Sequence, residues 1–117
     1  GLRERLAQEV GVRFNSVLAN RYRDGADAMG WHSDDEPELG PEPVIASVSL
    51  GAPRRFAFRP RGEGGRVDLA LEHGSLLVMA GRTQHAWRHA IPRTRRPLGE
   101  RVNLTFRAIL PRVGAGK

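Results

Sequence analysis

From Arg101 to Ala108 polar and apolar residues alternate without a break, with Arg101, Asn103, Thr105 and Arg107 set against Val102, Leu104, Phe106 and Ala108. Successive side chains of an extended chain point to opposite faces, so the run predicts a strand with one apolar face and one face rich in donors. That polar face is either solvated, as one side of an antiparallel sheet often is, or turned inward onto a ligand. Asn20 and Tyr22 form a second polar pair of matching parity upstream, on a face shared with Leu18. A tyrosine beside a leucine favours the inward choice. Buried donors without hydrogen bonds are costly, and a small dianion would satisfy them. Six residues separate Arg101 from Arg107, roughly 20 Å at about 3.3 Å per residue. One carboxylate cannot take both head-on, whereas two long side chains leaning together can bracket a five-carbon diacid.

The rest of the chain supports a mostly β architecture. Leu2, Leu6 and Val10 recur at four-residue spacing, which predicts an amphipathic helix ending at Gly11. Seven segments of β-branched, aromatic or alternating character follow: 14–23, 44–50, 55–59, 66–71, 75–79, 85–91 and 101–110. No helical segments alternate with them, so the expected fold is all-β, a sandwich or jelly roll with a short N-terminal helix. A length of 117 residues suits a single domain over 1–117.

Composition narrows the function classes. With no cysteine, disulfides and thiolate metal sites are excluded. No apolar run approaches the roughly 20 residues of a membrane span, and Gly1-Leu2-Arg3-Glu4 shows no secretory signal. The expectation is a monomer in the cytoplasm, or the nucleus of a eukaryote, without membrane contact. The net charge of +6 is almost all arginine, Lys117 being the only lysine. Such an excess favours encounter with polyanions, or is simply a solvated basic surface. Arg54, Arg55, Arg59, Arg61 and Arg66, and again Arg88, Arg93, Arg95 and Arg96, are interleaved with Gly and Pro and predict loop and edge positions.

The segment Met29-Gly30-Trp31-His32-Ser33-Asp34-Asp35-Glu36 carries the first sign of chemistry. If it is extended, His32 and Asp34 share a face and could hold a metal; otherwise it is a polar turn before Pro37, Gly40, Pro41 and Pro43. Downstream, His85, Trp87, His89 and Ile91 fall on one face, and a face with Trp and Ile is an inward one. His89 is then a core histidine or a third ligand. His85, beside Thr83 and Gln84, suits a cap or a surface position, and Glu72-His73-Gly74-Ser75 reads as a tight turn. Two histidines and one carboxylate suit non-haem iron(II) with open positions, whereas a structural zinc site wants four ligands.

Asn20-x-Tyr22, His32-x-Asp34, His89 after 54 intervening residues, and Arg101-x-Asn103-x-Thr105-x-Arg107 together resemble the AlkB family of oxidative demethylases. The resemblance runs from about Phe14 to Leu110 and is strongest to the branch acting on double-stranded DNA. It implies a double-stranded β-helix and an Fe(II)/2-oxoglutarate-dependent dioxygenase. It further implies that His32, Asp34 and His89 bind iron(II). Asn20, Tyr22, Arg101, Asn103 and Arg107 would bind 2-oxoglutarate, with Arg101 on the distal carboxylate and Arg107 nearer the metal. The implied reaction converts oxygen and 2-oxoglutarate to succinate and carbon dioxide while an N-methyl group is hydroxylated and lost as formaldehyde. The implied partner is nucleic acid: alkylated DNA, or RNA, bearing cationic 1-methyladenine or 3-methylcytosine. Asp35 and Glu36 offer charge complementarity to such a base. Trp31 points the other way and is expected to pack.

Family members carry further N-terminal sequence that forms a nucleotide-recognition lid, and in the duplex-acting branch a residue filling the gap left by a flipped base. This chain begins too late for either, so single strands are the expected preference over duplexes. Three alternatives are an AlkB-type enzyme acting on RNA or protein, a non-catalytic nucleic-acid-binding β domain, and a cupin-like domain with another metal. The second leaves the histidines and Asp34 without a reason, and the third leaves the Arg-x-Asn-x-Thr-x-Arg face without one.

Overall fold

The alternating run becomes strand β8 of a four-stranded antiparallel sheet in the computed structural model, which describes residues 1–110; the last seven residues of the expected 1–117 unit lie outside the described residues. In chain order the elements are α1 (Leu2–Val10), β1 (Ser16–Tyr22), β2 (Met29–His32), a 3₁₀ turn (Pro37–Leu39), β3 (Ile45–Gly51), β4 (Arg54–Pro60), β5 (Val67–Leu71), β6 (Leu76–Met79), α2 (Thr83–Ala86), β7 (Trp87–Ile91) and β8 (Arg101–Arg107). One sheet runs β1-β8-β3-β6 and the other β2-β7-β4-β5. Strands distant in sequence are therefore neighbours in space, which is the double Greek-key order of an eight-stranded jelly roll. No helix among the described residues is long and apolar enough to cross a membrane.

The expected helix is present. It ends where Gly11 turns left-handed at φ 79°, its N–H returning to the Ala7 carbonyl at 2.8 Å. Leu6 packs with Phe14, Ala46, Val48 and Phe106, so α1 covers the outer face of the first sheet. This is the apolar side of the alternation in β8. Between the sheets lies a second core of Tyr22, Leu39, Ile45, Phe56, Leu71, Met79 and Ile91.

Strand pairing aligns the polar inner residues of the first sheet in rows. Tyr22 pairs with Arg101 and Arg101 with Gly51; Asn20 pairs with Asn103 and Asn103 with Ser49; Leu18 pairs with Thr105 and Thr105 with Ser47. The first row needs glycine, because Gly51 has φ 98° and a Cβ there would run into the Glu100 carbonyl oxygen. Gly51→Ala is expected to cost more than about 1 kcal/mol, read as a lower urea midpoint. An unchanged midpoint would mean that this row relaxes freely.

Three expectations need correction. The chain forms eight strands among the described residues, not seven, because the segment around Trp31 is strand β2. It is only four residues long, and its register shifts between Met29 and His32, which removes any pattern legible in sequence. His85 is not in a strand: it lies in α2, a turn closed by His85 and Ala86 N–H groups on the Arg82 carbonyl, so it shares no face with His89. The arginines of 54–59 are not at loops or edges. β4 and β7 are the central strands of the second sheet, and they carry Arg54, Arg55, Arg59 and Arg88. Arg54 is only 3% exposed, which is tolerable because its guanidinium donates to the Asp24, Asp27 and Pro92 carbonyls at 2.8–3.1 Å. Arg59 instead lies over the outward-facing ring of Trp31 at 4.4 Å, with Arg66 at 5.5 Å, so Trp31 packs as expected.

Candidate active site

β2 and β7 are neighbours, and their register sets His32 opposite His89, which in turn pairs with Phe58 of β4. His89 is 2% exposed; its ring stacks on Phe56 at 5.2 Å and lies 6.0 Å from Phe58. Phe56 and Phe58 are same-parity residues of one strand, a pattern visible in the sequence. Asp34 follows β2 and turns its carboxylate to both rings, 3.5 Å from His89 Nε2 and 4.0 Å from His32 Nε2. One ligand atom from each of His32, Asp34 and His89 lies within 4.8 Å of the others.

The hydrogen bonding of this group suits a cation. His32 Nδ1 is 2.8 Å from the Gly30 carbonyl. A carbonyl only accepts, so Nδ1 carries the proton and Nε2 presents a lone pair toward Asp34. Burial disfavours the charged form of Asp34, yet its carboxyl is held below the usual carboxylate range by the His89 hydrogen bond and by the neighbouring His89, His32 and Arg107 side chains. Three ligands converge, and no fourth His, Cys, Asp or Glu joins them among the described residues. The donor set therefore fits an open-sided metal site better than a closed structural one.

The inner polar rows of the first sheet face the same interior. Arg101 is 1% exposed, its Nη2 donating to Ser49 Oγ at 2.9 Å and to Asn103 Oδ1 at 3.4 Å, with the guanidinium 5.1 Å from the Tyr22 ring. All these partners are neutral. Arg101 Nε and Nη1, and Arg107 Nε, are buried without a partner among the described residues. Burial pulls Arg101 below its ordinary value and pushes the Tyr22 phenol up. A buried cation with orphaned donors is unfavourable on its own, and a carboxylate would satisfy both charge and geometry. Asn103 is held in place by Ser47 Oγ, which donates to its Oδ1 at 2.6 Å, while its Nδ2 donates to Thr105 Oγ1 at 2.9 Å. Asn20 is half-buried in the same row, whereas Leu18 is 47% exposed, so the inward face of β1 reaches solvent at that end.

The two acidic candidates differ. Both are exposed, but Asp35 is already engaged, accepting from Arg61 Nη2 at 2.9 Å, while Glu36 stands at the entry to the 3₁₀ turn. Gln84, Ser33 and Arg61 also hold this segment, and nothing in their sequence neighbourhood marks them. An open groove of about 530 Å³ lies elsewhere, among residues such as Arg55, Asp68, Arg93 and Arg96, and includes none of the His32, Asp34 and His89 group.

The remaining histidines bond to the backbone. His73 Nδ1 accepts from the Gly51 N–H at 2.9 Å, and His85 Nε2 bonds to the Pro41 carbonyl. His73→Ala and His85→Ala are each expected to leave metal affinity unchanged in a calorimetric titration. Loss of binding in either would mean that the ligand set is wrongly chosen.

The signature of the family described as the 2OG-Fe(II) oxygenase superfamily matches residues 2–107. The alpha-ketoglutarate-dependent dioxygenase alkB homolog 3 of Rattus norvegicus is 48% identical, over 94% of this chain and 40% of that protein. The DNA oxidative demethylase ALKBH2 of Mus musculus is 49% identical, over 94% of this chain and 49% of that protein. The chain thus spans less than half the length of these relatives. The structure of OsALKBH1 superposes with a TM-score of 0.68 at 22% identity, covering 92% of this chain and 58% of that one, a likeness that speaks for the fold.

Proposed function

Because this chain belongs to the 2OG-Fe(II) oxygenase superfamily, we propose that it is the catalytic core of an oxidative demethylase of N-alkylated nucleic-acid bases, with His32, Asp34 and His89 holding the iron(II) and Arg101, Arg107, Asn103, Asn20 and Tyr22 holding 2-oxoglutarate. The observation that carries this reading is a two-histidine, one-carboxylate group within 4.8 Å, in an interior that also buries the partnerless Nε and Nη1 donors of Arg101.

When bound, iron(II) and 2-oxoglutarate would supply an oxidation that consumes dioxygen, one oxygen atom ending in succinate as carbon dioxide is lost and the other hydroxylating the substrate's methyl group, which leaves as formaldehyde. The chain's own residues prepare the site. Gly30 fixes the His32 tautomer through its carbonyl. The Asp34 carboxyl, held below the usual carboxylate range, offers an oxygen ligand. Phe56 and Phe58 wall the His89 side and exclude water. Arg101, buried and braced by Ser49 and Tyr22, offers its free donors to the distal carboxylate, and Arg107 acts nearer Asp34. Glu36, with Asp35 partly neutralised by Arg61, complements the positive charge of a methylated adenine or cytosine. The partner is alkylated DNA or RNA, and the place of action is the cytoplasm, or the nucleus in a eukaryote.

The test is formaldehyde release from oligonucleotides carrying 1-methyladenine, as single strands and duplexes, with iron(II) and 2-oxoglutarate supplied. Release that depends on the methyl group and on both additions is expected. Consumption of 2-oxoglutarate with no formaldehyde from any methylated strand would move the substrate outside nucleic acid.

A further inference from the structure

Asp34 lies beyond the last residue of β2, so no strand ladder fixes its backbone. The α2 turn does so instead. Gln84 is 1% exposed, and its Oε1 accepts a hydrogen bond from the Asp34 backbone N–H at 2.7 Å while its Nε2 lies 3.5 Å from Met79 Sδ. The flanking residues are tied to the same turn. Ser33 Oγ donates to the Trp87 carbonyl at 2.7 Å, and Arg61 Nη2 donates both to the Gln84 carbonyl at 3.1 Å and to Asp35 at 2.9 Å. The Arg61 N–H closes the arrangement on the Ala86 carbonyl at 2.9 Å.

A buried amide is costly unless its polar atoms are bonded, and here its acceptor bonds to the residue whose carboxylate faces both histidines. We propose that Gln84 is a positioning residue that sets the placement of Asp34 and thereby the metal affinity and coordination geometry of the His32–Asp34–His89 group; the proposal rests on the reading of that group as the metal ligands. Ligand sets tolerate displacements of only about 0.5 Å, and partners that orient a ligand change metal affinity by about 10- to 100-fold when replaced. Gln84→Met keeps length and volume but leaves the Asp34 N–H without an acceptor.

The probe is Co(II), whose visible absorption reports coordination, titrated into the full chain. Wild type is expected to bind one equivalent and Asp34→Ala to lose that binding. Gln84→Met is expected to bind about 10- to 100-fold more weakly with an altered band shape. Leu6→Ala, in the core under α1, is the control: it should lower the melting temperature yet leave the Co(II) spectrum and affinity unchanged. Should Gln84→Met not fold, Gln84→Asn, which is too short to reach the Asp34 N–H, carries the same expectation. A folded Gln84 variant with wild-type affinity and spectrum overturns the proposal alone. So does Leu6→Ala weakening Co(II) equally at a matched loss of stability. Unchanged binding in Asp34→Ala overturns the ligand reading itself, and the proposal with it.

Discussion

Asp34→Ala is expected to leave a folded chain that consumes 2-oxoglutarate no faster than free iron does. The carboxylate contributes little to packing: its contacts are the two imidazoles at 3.5 and 4.0 Å, and it sits at the end of a strand rather than in the core. Its backbone bond to Gln84 survives the substitution. What disappears is the only carboxylate of a three-ligand set, and two neutral imidazoles hold a divalent ion weakly. Succinate formation, measured beside a thermal melt, checks both halves of the expectation. Full turnover from a folded Asp34→Ala variant would show that the group is not the metal site.

Arg101→Met is expected to separate ligand binding from stability. The guanidinium is buried against neutral partners, so a side chain of similar length without the charge should leave the unliganded protein as stable as wild type or more so. Affinity for 2-oxoglutarate should fall at least about tenfold, the equivalent of losing a charged hydrogen bond worth about 1.5–3 kcal/mol. The stabilisation that 2-oxoglutarate confers on the wild type in a thermal melt should shrink with it. Unchanged 2-oxoglutarate affinity would remove Arg101 from the cosubstrate site.

Features of the site with a local pattern were legible in the sequence. The two-residue period of Arg101–Arg107 and the shared parity of Asn20 and Tyr22 place their side chains before any partner strand is known, and the pairing Tyr22–Arg101 and Asn20–Asn103 then brings them side by side. The four-residue spacing of Leu2, Leu6 and Val10 is equally local. The features that escaped depend on contacts between distant segments. Arg54 is buried because carbonyls of residues 24, 27 and 92 replace water around it, and no window of sequence contains all three. The Asp35–Arg61 pair joins residues from different strands' ends, so two adjacent exposed acids of similar promise differ in that only Asp35 is paired with an arginine among the described residues. His85 shares parity with His89 on paper but not in space, because a helical turn of four residues intervenes.

If one interior binds iron(II) and 2-oxoglutarate together, anaerobic titration should show the two sites coupled. One iron(II) and one 2-oxoglutarate per chain are expected, with 2-oxoglutarate affinity strengthened by the metal, and succinate formed once oxygen is admitted. Binding of 2-oxoglutarate that is indifferent to iron(II), or no succinate on admitting oxygen, would contradict it.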